Sequence, residues 1–202
     1  MGGNMAQTSR NVFYHIPMWF TMYLLMGISV IQSILYLKTG NLNKDIRASA
    51  ASQTGIYFGL IGLSTGIIWS RVTWRALIPS NDFAAWWSWD PKLTLVVVAL
   101  SVYIAYFLLR SNIEEPSQKA RISAVYNIFA AASLLPLTLL LPRLLGGLHP
   151  GGEEGNPLDN VKLAAEFRVI FYPAVLGFLC LGLWLFELNV RSRMLSNRTH
   201  EQ

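Results

Sequence analysis

The chain has 202 residues, of which 53% are hydrophobic and 13% charged, against about 25% charged residues in an average soluble domain. With a mean hydropathy of +0.39, this balance excludes an ordinary soluble core and points to a membrane protein. The net charge of +5 does not indicate nucleic acid, because the basic residues stand in short gaps between apolar runs, the pattern that sets membrane topology.

In chain order, residues 1–15 contain no apolar stretch and read as neither signal peptide nor anchor. Five segments follow that are apolar enough for the roughly 20 residues of helix a bilayer requires. The first is expected from about Ile16 to Leu37, with Pro17 in its first turn. The second runs from about Gly55 to Ile68 and reaches interfacial length if Trp69 to Trp74 continue it. The third spans about Leu93 to Leu109, and the fourth about Ala124 to Leu141 with Pro136 inside. The fifth spans about Val169 to Leu188. Proline and glycine are tolerated in such helices because neighbours re-satisfy the backbone. No internal repeat divides residues 1–202, so the expected fold is one all-α domain, a polytopic transmembrane helix bundle. Cys180 is the single cysteine and lies in an apolar run. It reads as a small lipid- or core-facing residue, and the chain lacks the C-x-x-C pair of a thiol redox, zinc or covalent haem site.

The polar connections alternate sides. One set, 38–54, 110–123 and 189–202, holds Lys38, Lys44, Arg47, Arg110, Lys119, Arg121, Arg191, Arg193 and Arg198. The other, 1–15, 69–92 and 142–168, holds Arg10, Arg71, Arg75, Lys92, Arg143, Lys162 and Arg168. Nine basic residues against seven, with the nine in plain linkers at helix ends, put the first set in the cytoplasm and the N-terminus outside.

The parity argument does not need that orientation. His15 precedes the first crossing, the run "AAWWSWDPKLT" at 84–94 follows two, and His149 in "GGLHPGG" follows four. An even number of crossings returns the chain to its starting side, so all three share one face, while His200 lies on the other. A single histidine near a helix mouth is an ordinary interfacial residue. Two on one face beside Trp86, Trp87 and Trp89 make a candidate pair of axial ligands for haem iron, with indoles as flat apolar surfaces. Arg71, Arg75 and Arg143 are candidates to meet the anionic propionates with charge-assisted hydrogen bonds. Trp19, Trp69 and Trp184 read as interfacial tryptophans, Asp90 as the N-cap of the third helix with Pro91 at its first position, and Glu153 and Glu154 as solvated.

"WWSWDPKLT" resembles the tryptophan-rich WWD signature of haem-handling proteins in cytochrome c maturation. "YHIPMWF", "LSTGIIWSRVTW" and "LLGGLHPG" resemble, in family order, the histidine–proline stretch, the helix end before the signature, and the second histidine loop of the CcmC family, the C component of the haem export system. The family usually has six membrane helices against the five here, the additional one preceding His15, and a shorter connection than Arg75 to Ala85. The resemblance implies a protein that is not an enzyme. It would hold haem b non-covalently at the outer face of the bacterial cytoplasmic membrane, with an extracytoplasmic Trp-rich loop at about 69–92. It also implies work beside ABC-type haem exporter subunits and delivery of haem to a membrane-anchored haem chaperone. Carried onto this chain, His15 and His149 become the axial ligands, and Trp74, Trp86, Trp87, Trp89 and Asp90 the haem and chaperone surface. The alternatives are a subunit of a WWD-type cytochrome c synthase, a haem lyase, for which "SWDPK" speaks and the shortness of the chain does not, and a structural membrane subunit without ligand.

Overall fold

The computed structural model describes residues 9–74, 86–149 and 165–200. Five helices among them are long and apolar enough to cross a membrane. A single 3-10 turn, Ser9–Asn11, leads into α1 (Val12–Thr39); α2 is Leu42–Thr73, α3 is Pro91–Ser111, α4 begins as Pro116–Leu135, and α5 is Ala165–His200. Helix α1 packs on α2, α4 and α5, while α3 closes against α2 and α4.

The helix ends carry their own local reasons. Gly40 ends α1 at φ 67°, its N–H donating to Tyr36 O, a left-handed conformation in which a Cβ would be strained. Asn41 then caps α2 by accepting from Asn43 N at 2.9 Å. Only these two residues join the helices, so the polar connection expected at 38–54 is largely the first turns of α2. The reason is burial: Ala48, Ser49, Ala50, Ala51 and Ser52 are small enough to lie buried between helices, and their polarity is met inside the bundle. Helix α1 also begins earlier than expected, so Pro17 lies within it rather than in its first turn. His15 is thereby a helical residue with a fixed direction. Asp90 and Pro91 start α3, and Glu115 and Pro116 start α4, as N-cap and first-turn proline should.

Pro136 lacks an amide hydrogen, and α4 passes it through a π turn, Pro136–Leu140, before a last short helix, Leu141–Leu145. Thr138 donates to Leu134 O at 2.7 Å and accepts from Tyr23 Oη at 2.8 Å, which ties the distortion to α1. Gly146, at φ 69°, ends the helix.

Between helices the contact is made by small residues and internal hydrogen bonds, which drive association where lipid offers no hydrophobic contrast. The fully buried Asn127 donates from Nδ2 to Ser29 Oγ at 2.6 Å and Ser33 Oγ at 2.8 Å, while Ser29 donates to Ala48 O at 2.7 Å. One end of the bundle is closed by charge. Arg110 holds Asp45 with two nitrogens, and Arg47 meets Glu187 at 2.5 Å. Arg193 donates to Asn189, Ser49 and Gln53. Cys180 lies on the exposed face of α5.

The Asp45 and Arg110 side chains are 8% and 16% exposed, so deleting one charge leaves the other buried and unpaired. Asp45→Ala should cost about 3–5 kcal/mol, read as reduced resistance to denaturation in detergent. Asp45→Leu combined with Arg110→Met should recover most of that loss.

Candidate functional site

The opposite end of the bundle gathers the histidines. His15 faces α2, where Gly66 leaves room for it: a Cβ on Gly66 would stand 2.9 Å from His15 Cε1. One turn along, Gly62 does the same for Trp19, with 3.1 Å to Trp19 Cε2. The His15 ring is held from both sides. The Trp19 indole N–H donates to His15 Nε2 at 3.2 Å, and His15 Nδ1 lies 3.1 Å from Thr65 Oγ1. An indole nitrogen only donates, so Nε2 is the acceptor and the ring proton belongs on Nδ1, where it is given to Thr65. The Thr65 hydroxyl in turn donates to Gly62 O at 2.8 Å. The network thus assigns a neutral imidazole protonated on Nδ1, with its Nε2 lone pair taken by the Trp19 indole, which would have to turn aside for Nε2 to meet a metal.

His149 comes to the same place from the turn after α4. Its ring centroid is 6.4 Å from that of His15, 6.5 Å from Trp69 and 6.4 Å from Trp74. Trp69 and Trp74 meet edge to face at 5.9 Å. Trp74 caps the C-terminal end of α2 through its backbone N–H and is buried. Phe13 on Phe167, at 4.9 Å, fastens the start of α1 to the start of α5. The other tryptophans form a rim. The Arg71 guanidinium lies 4.2 Å over the Trp86 ring, and Trp87 and Trp89 meet edge to face at 6.1 Å. Trp86 and Trp89 are 50% and 83% exposed. Asp90 is buried, both carboxylate oxygens accepting backbone N–H bonds. Arg143, exposed, and Asp90 stand within electrostatic reach of Lys92, and Lys92 within reach of His15. Arg75, Glu153 and Glu154 lie outside the described residues, as does the side chain of His200.

Among the described residues, no group of three or more His, Cys, Asp or Glu could hold a metal ion. A histidine pair instead suits a metal that arrives with its other ligands in place, as porphyrin iron does. Two imidazoles on opposite sides of one metal, each bonded at about 2 Å, have ring centroids about 6 Å apart, and the His15–His149 separation agrees. The pair therefore fits the group in spacing, and the Trp19 N–H is the group that a metal would displace from His15 Nε2.

Reading the sequence missed Trp19, Thr65, Trp69 and Lys92. The first three carried a signal: His15 with Trp19, and Thr65 with Trp69, are each four residues apart on one helix, the spacing that puts side chains on one face.

Fold and site together define a multi-pass helical membrane protein with an indole-lined histidine pair at one end of the bundle. The sequence model of the CcmC family, described as Heme exporter protein C, matches residues 3–202, and the chain belongs to that family. It is similar to Heme exporter protein C of Paracoccus denitrificans (strain Pd 1222), 26% identical over 194 residues, covering 95% of this chain and 75% of that protein. Heme exporter protein C of Bradyrhizobium diazoefficiens is 30% identical over 128 residues, covering 63% of this chain and 45% of that protein. The Escherichia coli (strain K12) protein of the same name is 22% identical over 190 residues, covering 92% and 70%.

Thr65→Val keeps the shape of the side chain and removes the acceptor that fixes the His15 tautomer. Loss of such a support lowers metal affinity about 10–100-fold. Titration of purified protein with haem should register that weakening for Thr65→Val, and Thr65→Ser should restore tight binding.

Proposed function

We propose that this chain binds haem b non-covalently between His15 and His149 at the extracytoplasmic face of the bacterial cytoplasmic membrane and delivers it to a membrane-anchored haem chaperone, beside ABC-type exporter subunits. The observation that carries this reading is the 6.4 Å separation of the two imidazoles, one reached from a helix and the other from a turn far along the chain. His15 and His149 would hold the iron, His15 once its Nε2 is released by the Trp19 indole, and Trp69 and Trp74 would supply apolar walls around them.

The ligand's two carboxylates need cations. Arg71 Nη1 is buried with no hydrogen-bond partner, so a donor is ready at the rim. Lys92 and Arg143 offer two more charges, since both Asp90 oxygens are taken by backbone N–H groups. Arg75 is the fourth candidate. The exposed Trp86 and Trp89 form a surface that a partner domain could cover, because aromatic anchors with a polar rim are the usual centres of interfaces. The names of the relatives support export over covalent attachment. The extracytoplasmic assignment rests on the excess of Lys and Arg at the Asp45–Arg110 end, nine against seven.

Replacing His15 or His149 with Ala should each reduce haem retained on purification and convert a six-coordinate low-spin absorption spectrum to a high-spin one. Unaltered spectra and haem content in both variants would end the ligand assignment. For the face, single cysteines at Ser80, Gly152 and Ser196 in a Cys180→Ala background should react with an impermeant thiol reagent on intact spheroplasts at positions 80 and 152 and not at 196. Labelling at 196 alone would invert the orientation.

A further inference from the structure

We propose that Asp90 is a positioning residue for His149: its second carboxylate oxygen tethers the turn that aims this histidine, an inference that rests on the ligand reading above. The two oxygens of Asp90 do separate things. Oδ1 accepts from Lys92 N at 2.9 Å and Leu93 N at 3.3 Å, which starts α3. Oδ2 accepts from Leu148 N at 2.7 Å, fifty-eight residues away and next to His149. Asp90 is 6% exposed, so this second bond is made largely out of water, where a charge-assisted hydrogen bond is strong and an orphaned amide costly.

The turn itself is shaped around that oxygen. Gly147 has φ +144°, a conformation other residues rarely adopt, and a Cβ there would lie 2.5 Å from Asp90 Oδ2 and 3.2 Å from Pro91 Cδ. Gly146, at φ 69°, has already stopped the helix. Two glycines in sequence thus let the backbone close over a carboxylate that the first turn of α3 holds still. The cap sits one residue after Trp89, so the same side chain joins the tryptophan rim to the histidine turn. An N-cap alone would need neither the second oxygen nor the glycines.

Capping and tethering can be separated, because Ser and Asn cap helices about as well as Asp. Serine has no second oxygen, and asparagine with its oxygen kept on the cap turns an NH2 toward the Leu148 N–H. Asp90→Ser and Asp90→Asn should accumulate in the membrane as the parent does. In the haem-free protein, hydrogen–deuterium exchange across 144–149 should quicken in both and stay unchanged in His149→Ala. Haem titrations should weaken about 10–100-fold, with the same low-spin to high-spin change as His149→Ala. Asp90→Ser combined with His149→Ala should be no worse than His149→Ala alone, whereas Asp90→Ser with His15→Ala should be worse than either, the signature of one shared interaction. Gly147→Ala, with Asp90 intact, should give the same exchange and spectral pattern. Parental exchange and spectra in Asp90→Ser and Asp90→Asn would overturn the tether. An unaltered spectrum in His149→Ala, alongside faster exchange in the Asp90 variants, would instead keep the tether of the turn and overturn the ligand reading.

Discussion

The close approach of α1 and α2 is the constraint on which the rest of the structure depends. Gly55, Gly59, Gly62 and Gly66 line one face of α2. Added Cβ atoms would meet Met26 Cε at 3.0 Å, Leu100 and Met22 at 2.8 Å, Trp19 at 3.1 Å and His15 at 2.9 Å. In lipid such a contact is driven by packing between backbones rather than by escape from water. The ladder brings sulfur and aliphatic groups of α1 onto α2 in the middle of the bundle, and an indole and an imidazole at its end. The direction of His15 is therefore set by helix packing, not by a loop. Helices α4 and α5 build outward from α1, with Gly182 of α5 brought close to Thr21.

Polar groups then divide the bundle along its length. Asp45, Arg110, Arg47, Glu187 and Arg193 close one end with ionic and charge-assisted bonds. Neutral Ser29, Ser33, Ser52 and Asn127 satisfy one another in the middle. At the far end stand the histidines. Ionisable groups inside membrane helices are expensive unless paired, and the charged end meets that demand within the protein. The site end does not do so to the same degree: Arg71 keeps a buried nitrogen without a partner, and Asp90 spends its charge on backbone. The asymmetry supports the proposal that the histidine end receives an anionic ligand.

Much of this was legible in the sequence. Five apolar runs correspond to the five helices, the cap at Asp90 with Pro91 marks the start of α3, and the parity of crossings puts His15 and His149 at one end, whereas the start of α4 at Pro116 lies about two turns before the apolar run expected from Ala124. Helix boundaries were less legible where burial overrode polarity. The stretch from Leu42 to Thr54 reads as a connection because Asn, Asp, Arg, Ser and Gln dominate it, yet its small residues are the ones the bundle can bury. The π turn follows from Pro136, whose cost to the helix is local, but which neighbour repairs it, Tyr23 through Thr138, depends on a contact across 115 residues. The same limit hid Thr65 and the second oxygen of Asp90. Each acts through a partner more than forty residues distant, and no local pattern encodes which partner that is. Trp19 and Trp69 read as interfacial because indoles at helix ends are common in membranes; only their four-residue spacing from His15 and Thr65 distinguishes them.

The tryptophans thus fall into two groups that sequence density alone would have merged. Trp19, Trp69 and Trp74 belong to α1 and to the end of α2, where helix geometry fixes them around the imidazoles. Trp86 and Trp89 precede α3 on a segment whose anchor is Asp90, and they stay exposed at the rim, Trp86 with the Arg71 guanidinium over its ring. On the proposed function, a ligand held and later released favours this division. Walls carried by packed helices keep the imidazoles in register whether or not a partner is present, and exposed indoles gain their stabilisation only when another surface covers them. Asp90 stands at the junction of the two groups, bonded to the start of α3 on one side and to the histidine turn on the other. A movement of the rim that pulled on Asp90 would reach His149 through a single hydrogen bond, while His15, anchored by α2 through Thr65, would stay in place.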